Sequence, residues 1–430
     1  MSRRAWGILA ATAGVVVLAG AAVVGLNLRG EEPIPDGPVA AFSPSTDQIA
    51  RGAYLARAGN CAGCHTAAGS AAYAGGRAVA TPFGAIYATN LTPDAETGLG
   101  DWSAAHFWRA MHHGRSRDGR LLYPAFPYTS YTTITRADSD AIFAFLRAQP
   151  PVHAPRRPPD LRFPYNTQAA LAVWRALFFQ PAATAAAAAD PARSAEWKRG
   201  AYLVQGLGHC AACHGARNAL GATTAGHDLE GGLIAVQNWY APSLHDPAEA
   251  GVARWSQEAV VRLLRSGIAP QGTVQGPMAD VVAGSTRHLS DADLQAMATY
   301  LRALPERPAA AARPVTVAPA VLQRGEAIYG QQCAQCHGDR GEGAAGRFPA
   351  LAGNRSVTLG DGTNTVQAVL HGGYAPSTPE NPRPYGMPPF AQSLDDADVA
   401  AVVSFVRTGW GNRGTAVEAL DVYRLRGGTP

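Results

Sequence analysis

Cys61-Ala62-Gly63-Cys64-His65 decides the reading, because the pattern returns as Cys210-Ala211-Ala212-Cys213-His214 and as Cys333-Ala334-Gln335-Cys336-His337. The chain has 430 residues and six cysteines, and these three motifs use every one of them. Within each motif the two cysteines stand at i and i+3, on one face of a helical turn. Thiols so placed can each form a thioether to a vinyl group of haem, and the adjacent imidazole then turns onto the iron. C-x-x-C-H is the attachment signature of c-type haem. A zinc site wants four ligands, and each of these clusters, far from the next in sequence, offers three. A disulfide framework suits small, cysteine-dense chains. A thioredoxin-like pair needs one C-x-x-C beside a βαβ pattern. The motifs therefore predict three covalently attached haem c groups. Cys61, Cys64, Cys210, Cys213, Cys333 and Cys336 hold them, with His65, His214 and His337 as proximal iron ligands.

Working outward, each motif is framed by the same signals. A short helical segment precedes it: Arg51-Gly52-Ala53-Tyr54-Leu55, Arg199-Gly200-Ala201-Tyr202-Leu203 and Arg324-Gly325-Glu326-Ala327-Ile328-Tyr329. A closing helix follows it, over 135–147, 289–304 and 394–406. In the second of these, Leu294, Met297, Tyr300 and Leu301 recur at helical spacing, with Ser290 as N-cap and Asp291 in the first turn. A long-period repeat of this kind signals an array of similar domains. An N-terminal helix packed on a C-terminal helix over a haem edge is the small all-α cytochrome c arrangement. The expected fold is all-α: three tandem cytochrome c-like domains behind an N-terminal transmembrane helix.

The expected boundaries are an anchor over 1–30, domains over 45–150, 193–306 and 321–413, linkers over 151–192 and 307–320, and a tail over 414–430. The Pro-rich stretches 150–160 and 305–319 read as stiff spacers, and the alanine run 185–189 as a linker or short helix. The apolar segment Leu171–Phe179 is expected to pack between domains, with a membrane or partner contact as the sharper reading.

Arg3 and Arg4 precede an uncharged apolar stretch from Ala5 to Leu28, long enough to cross the ~30 Å hydrocarbon layer as a helix. The positive flank stays in the cytoplasm, which puts the haem domains on the periplasmic side of a bacterial inner membrane. A cleaved signal peptide usually has a shorter core of ~7–15 residues, although Ala19-Gly20-Ala21 could serve as a cleavage site. Formal net charge is +4 with no basic run, which argues against nucleic acid as partner. No Gly-rich dinucleotide fingerprint follows a strand, and no carboxylate or hydroxyl spacing suggests a catalytic dyad or triad. No catalytic residue is expected.

A c-type haem commonly takes methionine as its second axial ligand. Met387, in Tyr385-Gly386-Met387-Pro388-Pro389-Phe390, and Met278, in Gly276-Pro277-Met278, stand in Gly/Pro loops before the closing helices. Both are expected as distal ligands, whereas Met297 reads as core. In the first domain the matching loop is Leu122-Tyr123-Pro124-Ala125-Phe126-Pro127-Tyr128, and phenylalanine cannot ligate iron. Met111 is the first candidate there. His112 or His113 would give bis-His ligation, and an open iron is the third option. The bland alternative for both histidines is a solvated helix C-terminus, where the dipole favours them.

The three motifs, Trp239-Tyr240-Ala241-Pro242, Gly276-Pro277-Met278 and Pro349-Ala350-Leu351-Ala352-Gly353-Asn354 carry a resemblance. From Arg51 to about Arg413 the chain resembles the membrane-bound tri-haem cytochrome c subunits of bacterial dehydrogenase complexes. The resemblance implies electron transfer rather than substrate chemistry. The expected partner is a catalytic dehydrogenase: a quinoprotein alcohol dehydrogenase, a flavin-dependent sugar-acid dehydrogenase, or a molybdenum hydroxylase for aldehydes or N-heterocycles. A small iron–sulfur subunit is a further candidate partner. Membrane quinone, another cytochrome or a terminal oxidase takes the electrons. Phe126 departs from the Tyr-Pro-Ala-Met-Pro-Tyr loop usual in the alcohol and sugar-acid branches. The segments Gly372-Gly373-Tyr374-Ala375-Pro376, Asn381 to Met387 and Arg109-Ala110-Met111 look more like the hydroxylase branch. Two rivals stand: a haem peroxidase or oxidase working at an open first haem, and a soluble electron shuttle.

Overall fold

The computed structural model describes residues 2–34, 42–182, 191–224, 228–234, 236–308, 317–379 and 381–427. The alanine run 185–189 and most of the 307–320 linker lie outside these. Each repeat is built on one helix pair, and the sequence shows why the two helices meet. The leading helices are Thr46–Ala58, Ala195–Tyr202 and Pro319–Gln332. The closing helices are Arg136–Arg147, Asp291–Arg302 and Asp396–Thr408. Thr135, Ser290 and Asp395 cap the closing helices, each accepting from the backbone N–H three residues on.

The recurring Arg-Gly pair joins the two helices. Gly52 faces the carbonyl of Ala141, Gly200 that of Ala296 and Gly325 that of Ala401. A Cβ at these glycines would lie 1.8, 1.9 and 2.3 Å from the oxygen, so only glycine lets the backbones approach. The arginine before each glycine reaches an acid in the first turn of the closing helix. Arg51 Nε to Asp138, Arg199 Nε to Asp293 and Arg324 Nε to Asp398 are each 2.8 Å. Those acids also sit favourably at the positive end of the helix dipole.

Aromatic rings fill the crossing. Tyr329 lies 5.7 Å from Phe405 and 4.8 Å from Trp410, and Trp197 lies 5.2 Å from Tyr300. A middle helix completes each repeat: Ala104–His113, Gln257–Ser266 and Thr363–His371. In the third repeat Tyr329, Val357, Val366, Leu370, Val399, Val403 and Val422 form one buried cluster.

The architecture is helix-rich but not purely helical, which corrects the all-α expectation. Ala78–Thr81, Gly84–Tyr87 and Asp160–Leu161 form a three-stranded antiparallel sheet. Three two-stranded ladders pair Gly232–Ile234 with Trp239–Ala241, Ile268–Ala269 with Gly272–Thr273, and Gly373–Tyr374 with Gly386–Met387. Proline stands in three of the four closing turns, as Pro82, Pro270 and the run from Pro376 to Pro384, where it disfavours continuation as helix.

The chain forms two compact units. The first holds Met1–Ala56 and Cys61–Ala189, with Ala219–Ala222. The second holds Arg57–Asn60, Asp190–Asn218 and Thr223–Pro430. Within the first unit, the stretch read as a linker is built in. Its strand Asp160–Leu161 joins the first sheet, and Gln168–Phe178 is a helix.

Within the second unit, polar contacts join the second and third repeats. The Asn364 side chain accepts from Tyr240 N at 2.8 Å and donates to Tyr240 O at 2.7 Å. Gln367 donates to Asn238 O at 2.9 Å, and Arg355 to Gly251 O at 2.9 Å while stacking over Trp255. The C-terminal stretch, read as a tail, carries the helix Ala419–Arg426. Arg426 Nε there donates to Asp396 at 2.6 Å.

Candidate functional site

Each C-x-x-C-H motif folds as one helical turn: Cys61–His65, Ala211–His214 and Ala334–His337. No two of the six cysteines are joined in a disulfide. The surrounding protein, and then the second thiol beside it, push the first cysteine of each pair up. Cys61 and Cys210 rise to about 12, and Cys333 to about 11. Each pair is thus close enough to feel the other's charge, as a two-point attachment needs.

The histidines share a second feature. His65 Nδ1 lies 2.7 Å from the carbonyl of Thr89, His214 Nδ1 2.7 Å from that of Pro242, and His337 Nδ1 2.9 Å from that of Pro349. A carbonyl only accepts, so each Nδ1 carries the hydrogen and each Nε2 keeps its lone pair. Burial lowers all three imidazoles below their ordinary value, which keeps them neutral. A neutral imidazole whose other nitrogen donates to a fixed oxygen is the usual state of a metal-bound histidine. The donor set therefore fits haem iron. Among the described residues, no cluster of three or more His, Cys, Asp or Glu suits another metal ion. The acceptors Thr89, Pro242 and Pro349 were not identified from sequence as site residues, although Pro242 and Pro349 stand in segments that carried the resemblance.

The methionines fall into two groups. Met278, in the first turn of Pro277–Gly284, and Met387, paired with Gly373 across its ladder, are half-buried. Met111 and Met297 are enclosed, at 4% and 3% exposure. Met111 is the eighth residue after the N-cap of its middle helix. The same position holds Leu264 in the second repeat and Leu370 in the third, and both are buried.

The sequence matches the Phe126 segment to those of Met278 and Met387, which were expected in loops but begin a helix and end a two-residue strand. The Phe126 ring centroid is 5.4 Å from that of Tyr131. Burial, then the nearby Cys61 and Cys64, hold the Tyr131 phenol well above its ordinary value, which puts this ring beside the first cysteine pair.

The two neighbouring histidines are buried rather than solvated. His112 stacks on Trp108 at 4.4 Å, and its Nδ1 is buried with no hydrogen-bond partner among the described residues. His113 is held down to about 4 by burial and then by Arg175, Arg115 and Arg109.

A profile described as Cytochrome c matches residues 49–150, 197–305 and 322–410, once around each motif. The cytochrome c subunit of the quinone-dependent alcohol dehydrogenase of Gluconacetobacter polyoxogenes is 39% identical over 413 residues. That alignment covers 91% of this chain and 87% of that protein. The gluconate 2-dehydrogenase cytochrome c subunit of Pantoea cypripedii is 38% identical over 88% of this chain and 89% of its own length. A nicotinate dehydrogenase subunit of Pseudomonas putida is 42% identical over 87% of this chain, which spans only 31% of that longer protein. Three matched stretches, each with a Cys-x-x-Cys-His turn and its carbonyl-held histidine near the start, show that the chain belongs to the cytochrome c family.

Proposed function

We propose that the chain is the tri-haem electron-transfer subunit of a membrane-bound dehydrogenase complex. It takes electrons from a catalytic partner and hands them to the respiratory chain, at quinone or a terminal oxidase. One observation carries the reading: three Cys-x-x-Cys-His turns, each with its histidine Nδ1 engaged by a loop carbonyl 2.7 to 2.9 Å away. Haem iron, when bound, cycles between ferrous and ferric and so moves one electron at a time. The cysteine pairs would hold the haems, His65, His214 and His337 would each supply a nitrogen ligand, and Met278 and Met387 would supply a sulfur ligand in the second and third repeats. The apolar helix Arg3–Leu28 serves as the anchor. It has no buried residue, and Ser2 caps its start.

The expected haem content is three per chain by pyridine haemochrome assay, falling by one when either cysteine of a motif becomes serine. A content of two or fewer in the intact chain would overturn the reading. The similarity to the nicotinate dehydrogenase subunit, a protein named for an N-heterocyclic substrate, supports a partner that hydroxylates aldehydes or N-heterocycles. A complex purified from membranes should then reduce its haems with such a substrate. Reduction by ethanol or gluconate alone would assign the alcohol or sugar-acid branch instead.

Phe126 favours a second reading at the first repeat. Met111 occupies a position that the other repeats fill with buried leucine, and Phe126 occupies the loop where they carry methionine. We infer that Met111 serves the core and that Phe126 closes the distal side without ligating. Phe126→Met is then expected to convert a high-spin ferric signal to a low-spin one and to abolish carbon monoxide binding at that site. Met111→Ala should leave the spectrum unchanged while costing about 2–5 kcal/mol of stability. A changed ligand-field spectrum in Met111→Ala or His112→Ala would overturn the assignment. Peroxide turnover by the unmodified chain, lost in Phe126→Met, would add a catalytic role at this haem.

A further inference from the structure

The helix Gln168–Phe178 is fastened to the end of the anchor. Asn27 Nδ2 donates to Ala172 O at 2.9 Å, Arg175 Nε donates to Asn27 Oδ1 at 2.9 Å, and the Arg29 guanidinium donates to Phe179 O. Arg115 adds bonds to Asn27 O at 3.0 Å and to Glu31 at 2.8 Å. The attachments to Ala172 and Phe179 span about 10 Å of the short helix but only about 3 Å of the anchor's end, at ~1.5 Å rise per residue. The helix is thus fastened at two points to the foot of the anchor.

Height follows from the same rise. Asn27 stands about 36 Å from Arg3 along the helix, and the hydrocarbon layer is ~30 Å thick. With Arg3 and Arg4 in one headgroup layer, Asn27 reaches the opposite one, and so does the helix bound to it.

The two faces of this helix differ in kind. Leu171 and Arg175, the inner pair, are buried. Arg175 is the helix's one charged residue, and it points inward to Asn27. The outer stripe Ala169, Val173 and Leu177 carries no charge. Val173 is 48% exposed, Leu177 65% and Phe178 36%, and Phe163 just upstream is 81% exposed. A water-facing helix is normally polar on that side. An apolar outer face at the height of the headgroups is that of an interfacial helix.

We propose that Gln168–Phe178 lies in the headgroup layer with Phe163, Val173, Leu177 and Phe178 entering the lipid. The first repeat would thus be seated against the membrane and not hung from a tether. The proposal rests on the anchor reading, and the test separates the two. Single cysteines at Leu177 and Val173, at Val16 in mid-anchor and at exposed Ser70 are spin-labelled in the full haem-loaded chain. The native thiols, consumed as thioethers, do not compete for label. The chains are placed in phosphatidylcholine–phosphatidylglycerol vesicles. Collision of each label with oxygen is compared with collision with a water-soluble nickel chelate.

The expected result is an oxygen-to-nickel ratio at Leu177 and Val173 several-fold above that at Ser70, between the values at Ser70 and Val16. A ratio at Leu177 equal to that at Ser70, with Val16 deep in lipid, overturns the interfacial helix and leaves the anchor standing. Shielding of Leu177 from both agents also overturns it, and would mark a protein-covered face. An aqueous Val16 overturns both readings.

Discussion

Gly325→Ala is expected to cost roughly 3 kcal/mol of stability, at the upper end of what overpacking usually costs. Gly330→Ala, five residues on in the same helix, is expected to gain about 0.5–1 kcal/mol. Both lie in Pro319–Gln332, so helix propensity is the same gain in each. They differ in what a methyl group meets. At Gly330 nothing lies within 4 Å, whereas at Gly325 the Ala401 oxygen would be 2.3 Å away and the Phe405 Cβ 2.8 Å. Neither obstacle is the far end of a flexible side chain, so relief requires the two helices to move apart. That separation would also loosen the pair between Arg324 and Asp398. Denaturant unfolding of the two variants, followed by far-UV circular dichroism, checks the opposite signs. A loss below 1 kcal/mol at Gly325 would show that the crossing is more compliant than its geometry suggests.

Arg407→Leu is the other large effect, expected to destabilise the third repeat by about 3–5 kcal/mol. Arg407 has no exposed surface. Its Nε donates to Thr415 O at 2.8 Å, Nη1 to Val357 O at 2.7 Å, and Nη2 to Leu359 O at 2.6 Å and Thr415 Oγ1 at 2.9 Å. One side chain thus satisfies three carbonyls from two separate segments. Leucine leaves them buried and unpaired, at about 1–3 kcal/mol each before relaxation. Arg407→Lys should recover little, since a single ammonium cannot reach the spread that the planar guanidinium covers. Thermal unfolding read by haem absorbance and by circular dichroism tests this, and a midpoint within a degree or two of the unmodified chain would refute it.

Chemistry held in a contiguous turn was legible in the sequence, and so were helices with a capped start. The three Cys-x-x-Cys-His turns and the Ser290 cap are of this kind, because five residues or fewer specify them. Tertiary placement was not legible. The Arg-Gly pairs read only as helix signals, since the carbonyl each glycine meets is about 75 to 95 residues away, as in Gly325 to Ala401 and Gly200 to Ala296. The partners of the histidine Nδ1 atoms escaped for the same reason, being backbone oxygens that any residue type supplies. The small hairpins escaped through their shortness, two to four residues each, below the length at which alternation is a signal.

The carbonyls of Thr89, Pro242 and Pro349 make the proximal half of each site chemically uniform. Because these oxygens belong to the main chain, a side-chain substitution at Thr89, Pro242 or Pro349 does not itself remove the acceptor. Hydrogen bonding from a ligating imidazole makes it a stronger electron donor to the metal, and here that donation is the same in all three places. With the proximal donors of one kind, differences in potential along the chain would come from the other ligand and from the burial of each haem. On the proposed ligand assignment, two repeats would place a thioether in that ligand position and the first the Phe126 ring. Evolution could reset the voltage ladder of such a chain one loop residue at a time, leaving its covalent framework untouched.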